Sequence, residues 1–353
     1  MTKDFSGKDF SGLGRRGLLG ATIGLGAAAL GSVGLARPHV ARAATTINIG
    51  FFTETKPTNI VKAQSLLEKA TGQTVNWTEY GSGAEINAAI TAGGADIGFG
   101  SGSVPAAAGI SQGLPVILVG LVDDIGPAEE LTVRASANIR TPADLKGHKI
   151  ATPFGSTSHF RLLGLLKTNG LTQRDVTVVD LRPDAIVAAW TRGDIDGAYV
   201  WAPAKSKLLA NGGTVFPTWE KLDAAGYVVA DTILARTGFA EQQPQAVTAL
   251  LRVYGQALAL YRNQPVEAAQ VVATAAGVTP EVAASDLKEY NFVSLRDQLT
   301  PEWLGTPGKP GNFANVLHHT AEFLAEQKSI RSAAPLAAFQ KAIRTEFLQQ
   351  ALA

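Results

Sequence analysis

The sequence predicts an α/β fold in two lobes with a cleft between them. Two separate series of alternating β-patterned and helix-patterned segments point to it, as does the wholly helical stretch that follows them. The length of 353 residues adds a third reason, since one hydrophobic core rarely serves a chain of that size. Hydrophobic residues make up 46% and charged residues 17%, the balance of a globular chain and not of a disordered one. A net charge of +1 with no Lys- or Arg-rich run gives no sign of a nucleic-acid binder.

The first series opens with TTINIGFF (45–52), β-rich and apolar, and so a strand. NIVKAQSLLEKATG (59–72) carries a helical stripe of Ile60, Ala63, Leu66, Leu67 and Ala70 and ends at Gly72. TVNWTEY (74–80) alternates as a second strand, and 83–101 reads as a helix and a short strand. PVILVGLV (115–122) is a buried strand, and EELTVRA (129–135) is a strand leaving the first lobe. The pattern restarts at Leu145. KIATP is a strand, the stretch 154–170 leads into a helix that starts at 156–158, DVTVVDL (175–181) is a strand, 183–193 a helix with Pro183 in its first turn, and IDGAYVW (195–201) a strand. YVVADTILA (227–235) returns to the first lobe, and five helical segments close the chain. Largely parallel sheets are expected from this alternation. The expected divisions are 1–43 for an export signal, 44–131 for the first part of lobe 1, 132–230 for lobe 2, and 231–353 for the return to lobe 1 with the C-terminal helices.

The export signal is read from Arg15-Arg16, a Gly/Ala-rich uncharged stretch over 17–36, and Ala41-Arg42-Ala43 as a small-x-small cleavage site. The pattern is of the twin-arginine type. Its six Gly in 20 residues argue against a membrane anchor of similar length. Residues 1–43 hold six Lys/Arg and two Asp/Glu, which leaves the remainder at a formal −3. The sequence has no Cys, which excludes disulfides, thiolate metal sites, a Cys nucleophile and a lipidated cysteine. An exported chain with no such anchor is expected in a periplasm.

The chemistry-bearing stretches are few. FGSTSHF (154–160) starts a helix with hydroxyls and a His but no acid. Helix starts favour negative charge, so an anion from outside would suit this one. On the residues alone, capping of the helix's own amides by Ser156 or Thr157 is the favoured reading. SGSVP (101–105) offers a second such start, or a plain turn. Asp231 falls inside an apolar strand, which is unfavourable unless its charge is paired or faces a polar cleft. Glu129 begins the crossover strand, and Glu130 is read as its solvated neighbour. Tyr199 and Trp201 lie two apart on one strand face. Tyr199 reads as core, while Trp201, at the strand's end, is placed at the cleft. Thr53, Glu54 and Ser82 also sit at strand ends. His159 is read as a packing or hydrogen-bonding residue. Asp194 with Asp196 reads as a turn with Asp capping, and Asp123-Asp124 and His318-His319 lack the partners of a metal site. No nucleophile elbow, phosphate loop or metal-binding helix motif is present.

Three stretches together resemble the taurine-binding proteins of ABC importers, within the aliphatic-sulfonate and nitrate-binding group. They are YGSGAEINAAITAGGADIGFGSGSVPAAA (80–108), ATPFGSTSHFRLLGLLKTNGL (151–171) and AIVAAWTRGDIDGAYVWAPA (185–204). The resemblance runs from about Ile47 to Phe347. It implies a two-lobed type II periplasmic binding protein fold with an interlobe ligand cleft, closing by hinge motion. It also implies taurine as ligand, an ABC permease in the inner membrane as partner, a monomer, no cofactor and no catalysis. Taurine carries a sulfonate, which only accepts hydrogen bonds, and an ammonium two carbons away. With the resemblance, Phe154, Ser156, Thr157 and Ser158, and Ser101, Gly102 and Ser103 opposite, become candidates for the anionic end. Asp231 matches the family's amine-binding acid, with Glu129 as the second candidate, and Trp201 would pack on the linker. Thr53, Glu54 and Ser82 complete the expected contacts. Binders of alkanesulfonates, nitrate or sulfate esters, and a thiamine-precursor-type enzyme of the same fold, are the alternatives.

Overall fold

A computed structural model describes residues 46–353; the expected export signal lies outside the described residues. The chain runs through β1 (Thr46–Phe51), α1 (Thr58–Ala63), α2 (Leu66–Thr71), β2 (Thr74–Glu79), α3 (Gly83–Thr91), β3 (Ile97–Gly102), α4 (Ser103–Ser111) and β4 (Val116–Asp124). It then crosses to β5 (Glu130–Arg134), β6 (Lys149–Thr152), α5 (Thr157–Thr168), β7 (Thr177–Asp180), α6 (Pro183–Arg192), β8 (Gly197–Val200), α7 (Ala204–Ala210), β9 (Gly213–Phe216) and α8 (Trp219–Ala224). It returns through β10 (Ala230–Arg236) to α9 (Thr237–Gln242), α10 (Pro244–Asn263), α11 (Pro265–Ala276), α12 (Pro280–Asp286), α13 (Phe313–Glu326), α14 (Leu336–Ala342) and α15 (Glu346–Leu352).

Two five-stranded sheets result, one per lobe, in the orders β2-β1-β3-β10-β4 and β7-β6-β8-β5-β9. In each, the strands joined by helical crossovers pair in parallel, β1 with β2 and β3, and β6 with β7 and β8. The strand that arrives from the other lobe runs antiparallel: β10 against β3 and β4, and β5 against β8 and β9. The sheets are therefore mixed, where the alternation had suggested largely parallel ones. A strand entering from elsewhere has no right-handed crossover to set its direction.

Strand β4 is buried along nearly its whole length although it ends its sheet. The C-terminal segment covers that edge: Ile343 bridges Leu118, and the Arg344 amide donates to the Leu118 carbonyl at 2.8 Å. Tyr254 of α10 donates its hydroxyl to the Val122 carbonyl at 2.6 Å, and the Gln298 side chain bonds both backbone groups of Leu121. A covered edge presents no free ladder to another chain.

Two segments connect the lobes, 125–129 and 217–229. Arg161 of α5 is fully buried between them. Its Nη1 donates to the Gly126 carbonyl at 2.8 Å, and its Nη2 pairs with Asp223 Oδ1 at 2.5 Å.

Several local expectations change. The helix expected over 59–72 is two helices, broken at Ser65, whose φ of 49° lies in the left-handed region. The closing stretch likewise divides into α14 and α15, because Ile343 turns extended to bridge β4. Between Ala204 and Ala224 the chain adds α7, β9 and α8, which have no strong period in the sequence. Glu130, read as solvated, is 2% exposed. Its carboxylate accepts from the Thr218 amide at 2.9 Å and the Thr218 hydroxyl at 2.6 Å, so the second crossover requires it inside.

Arg161→Met should cost about 3 kcal/mol in urea unfolding, since the change strands Asp223 and a crossover carbonyl beside apolar atoms. An unchanged midpoint would show that the tie between crossovers contributes nothing.

Candidate functional site

The loop after β1 carries Phe52 and Glu54 to the space between the lobes and buries Lys56 in the first lobe behind them. The Asn59 side chain anchors the loop by donating to the Glu54 carbonyl. The Lys56 ammonium is almost wholly enclosed and gathers three acids. It bonds Asp231 Oδ2, lies 3.0 Å from Asp123 Oδ2 and 3.4 Å from Glu54 Oε1, and sits 4.3 Å from the centre of the Tyr290 ring. Sheet register assembles the group: Asp231 on β10 stands opposite Gly102 on β3 and Asp123 on β4.

Three carboxylates against one ammonium leave a surplus of acid in a place that disfavours charge. Burial pushes the Glu54 and Asp123 carboxyls well above the usual range, and Lys56 only partly offsets it. Asp231 is raised too, by burial, with Lys56 opposing. Burial alone would lower Lys56, but the charges of Asp123, Asp231 and Glu54 overcome it and hold the ammonium well above its ordinary value. Asp231, whose place in an apolar strand required a paired charge or a polar cleft, has both. One of its oxygens is taken by Lys56, while Oδ1 lies 3.5 Å from where a β-carbon on Gly102 would stand.

The facing wall is the start of α5. Ser156 caps it, accepting from the His159 amide at 3.1 Å and donating to the Pro153 carbonyl at 2.6 Å. Thr157 donates its hydroxyl to Glu129 Oε1 at 2.7 Å. The helix start that carries no acid of its own therefore receives one from the residue before β5. Burial pushes Glu129 up to about 7, helped by the charge of Asp231 and opposed by the Thr157 hydroxyl, Arg161 and Lys56. Its other oxygen, Oε2, has no hydrogen-bond partner among the described residues.

Trp201 follows β8, with its ring centre 6.0 Å from that of Phe52 across the cleft. Gly102 allows the close approach across the cleft, and Gly83 allows α3 to pack on α4 within the first lobe. A β-carbon on Gly102 would stand 2.8 Å from Thr157 Cγ2, and one on Gly83 would stand 2.2 Å from Pro105. At the exposed mouth, Arg182 Nη1 of the second lobe reaches Glu85 of the first at 2.9 Å.

The resulting cavity is lined by Phe52, Glu54, Gly83, Gly102, Pro105, Glu129, Ser156, Thr157, Trp201 and Asp231. Its volume is about 10 Å³, room for about one water. Chemically the walls are complementary: carboxylates favour a cation, and a helix start with hydroxyls favours an anion.

Of the thirteen residues expected at the site, the structure brings Glu54, Gly102, Glu129, Ser156, Thr157, Trp201 and Asp231 together around this cavity. Ser101 and Ser158 are buried just behind it, with hydroxyl oxygens lacking a partner among the described residues. Ser82 caps α3 by accepting from the Glu85 amide, and Ser103 accepts from the Ala230 amide, both at 3.3 Å. Thr53 is half-buried outside the lining. Phe154 is 38% exposed and stacks on His159 at 4.4 Å, outside the lining as well. His159 stays neutral, since burial holds it down at about 4. Tyr199 is core, with its hydroxyl 2.9 Å from Thr218 Oγ1.

Sequence reasoning missed Lys56, Asp123, Phe52, Gly83 and Pro105. For Lys56 a weak signal existed: a lysine two residues from Glu54 in the short loop between an apolar strand and Pro57. Asp123 had none, because its partners are remote in sequence.

Residues 69–268 match the model of the family described as NMT1/THI5 like. The chain is 35% identical over 297 residues to the taurine-binding periplasmic protein of Escherichia coli strain K12, covering 82% of this chain and 89% of that one. It is similar to the crystal structure of the periplasmic aliphatic sulphonate binding protein of Escherichia coli, with a TM-score of 0.67 at 26% identity over 83% and 91% of the two chains. The fold is also shared with a desulfurization enzyme, with a TM-score of 0.58 at 18% identity over 87% and 98% of the two chains.

Lys56→Met should destabilise the fold by about 3–5 kcal/mol at pH 8, because three enclosed acids lose their cation. The deficit should shrink toward pH 5. A carboxyl whose folded pKa lies above its unfolded one binds more protons when folded, so stability falls as pH rises between the two values. Urea unfolding at both pH values checks this; a deficit independent of pH would show that Lys56 contributes packing and not charge.

Proposed function

Because the chain belongs to the NMT1/THI5-like family, we propose that it is the extracytoplasmic solute-binding component of an ABC importer and captures taurine between its lobes. One observation carries the reading. A single small cavity has Glu54, Glu129 and Asp231 on its walls and the hydroxyl-rich start of α5 among them. A ligand with a cationic and an anionic end, separated by a short linker, satisfies both. The sulfonate would take the α5 start, through Ser156, Thr157 and Ser158, with Ser101, Gly102, Ser103 and Ser82 opposite. Each such charge-assisted hydrogen bond contributes about 1.5–3 kcal/mol net. The ammonium would take Asp231 and Glu129, with Glu54 beside them, and Trp201 would pack on the two-carbon linker. Thr53 and Phe154 would form the outer surround.

The lobes in this reading are 44–131 with 231–353, and 132–230. Residues 1–43 act as a twin-arginine export signal that is removed, which places the mature chain in the periplasm as a monomer. The closed form, favoured by contacts the ligand makes with both walls, is what a membrane permease would recognise. Among the described residues no helix is long and apolar enough to cross a membrane. The chain has no Cys and none of the common catalytic motifs, and the relatives with the higher identities are named as binding proteins, which supports binding without turnover. The likeness to a desulfurization enzyme extends to the fold alone.

Calorimetry with taurine and ethanesulfonate tests the ligand. Taurine should bind at least about tenfold more tightly, the difference one charged hydrogen bond makes. Asp231→Asn should weaken taurine by about 10- to 100-fold and leave ethanesulfonate unchanged or tighter, because one negative charge is gone. Equal affinities in the native protein would instead identify a binder of plain alkanesulfonates.

A further inference from the structure

The three acids that line the cavity are not equivalent, and Glu54 has the Lys56 ammonium 3.4 Å away. Asp231 already has a cation, since Lys56 holds its Oδ2. Glu129 has a hydroxyl on Oε1 and nothing on Oε2, although it is buried and lines the same cavity. Its backbone leads directly into β5, where Glu130 pairs with Val200, so Glu129 stands beside Trp201 at the point where the chain passes between lobes. A carboxylate oxygen enclosed without a donor is costly, and a primary ammonium in the cavity would remove that cost.

Resting on the taurine reading, we propose that Glu129, which would meet the ligand's ammonium beside Asp231, releases a proton to solvent as the ligand binds. Without ligand the carboxyl is protonated through the lower part of the neutral range, since burial and Asp231 disfavour its charge. When the ammonium arrives, the O–H bond on Glu129 breaks, its proton leaves to buffer, and an N–H of the ligand donates to the ionised oxygen. The ligand stays a zwitterion throughout, and the site gains a negative charge only when a positive one enters. The groups facing Glu129 favour this order of events. Asp231 of β10 repels its charge. Thr157 and Arg161 of α5 and Lys56 of the loop after β1 favour the charge, and burial still outweighs them. Glu54, also on that loop and lining the cavity, and Asp123 behind it, on β4, are themselves raised acids that add no cation. Selectivity follows: a plain alkanesulfonate brings no ammonium, so it must bind beside a neutral Glu129 and cannot use it.

The test is calorimetry of the mature chain with taurine at a series of pH values, in phosphate and in imidazole, whose ionisation heats differ. The difference in heat gives the protons exchanged. Near pH 6 about one proton should be released per taurine, falling toward none by about pH 8.5. Ethanesulfonate should release none. Glu129→Gln should abolish the release and weaken taurine by about tenfold at pH 8. Thr157→Val, which removes the hydroxyl that favours the ionised form, should move the release profile to higher pH and serves if the Gln variant does not fold. Taurine binding without proton release at pH 6, or release that persists in Glu129→Gln, overturns the proposal alone. A chain that binds no taurine overturns the ligand reading and this proposal with it.

Discussion

The interaction on which the cleft depends is the enclosure of one ammonium, Lys56, by carboxylates from three separate parts of the chain. Glu54 comes from the loop after β1, Asp123 from the end of β4, and Asp231 from the start of β10. A buried ion pair is weak evidence for stability, because desolvation offsets attraction. Its value here lies in position and in imbalance. The cluster joins the strand that enters the lobe from its partner to two strands already there. It also leaves more acid than base next to the cavity, so the first-lobe wall is biased toward a cation before any solute arrives.

The other wall has the opposite bias for a different reason. Helix α5 is twelve residues long and carries the partial positive charge of its free amides. Ser156 satisfies one of those amides and Thr157 turns its hydroxyl to Glu129, so the wall is partly occupied by the protein's own groups. Glu129 thereby couples the two walls: it is bonded to the helix start, repelled by Asp231, and set on the crossover about which the lobes would move. Gly102 lets the walls meet, since a methyl group there would collide with Thr157. The contact between the walls, the acids of the cavity and the first crossover thus lie close together around Glu129.

Much of this was legible in the sequence. The two alternating series and the helical tail appear in the order read, because apolar periodicity is a local property that survives folding. Glu54, Gly102, Glu129, Ser156, Thr157, Trp201 and Asp231 all reach the cavity from strand ends or helix starts, positions that local pattern identifies. What failed depended on partners far along the chain. Glu130 reads as a surface acid until Thr218, 88 residues away, is placed against it. The extended Ile343 that splits the last helical stretch follows from its bridge to Leu118, more than 200 residues earlier.

By itself the sequence determined the elements, the two-lobed division and the kinds of chemical group at the strand ends, since each follows from periodicity and residue type within short windows. The tertiary structure decided which charges meet. Register set Asp231 between Gly102 and Asp123, and the loop after β1 delivered Lys56 to it. A carboxylate's role is fixed by its distance to other charges and by its enclosure from water, and neither quantity exists until remote segments pack.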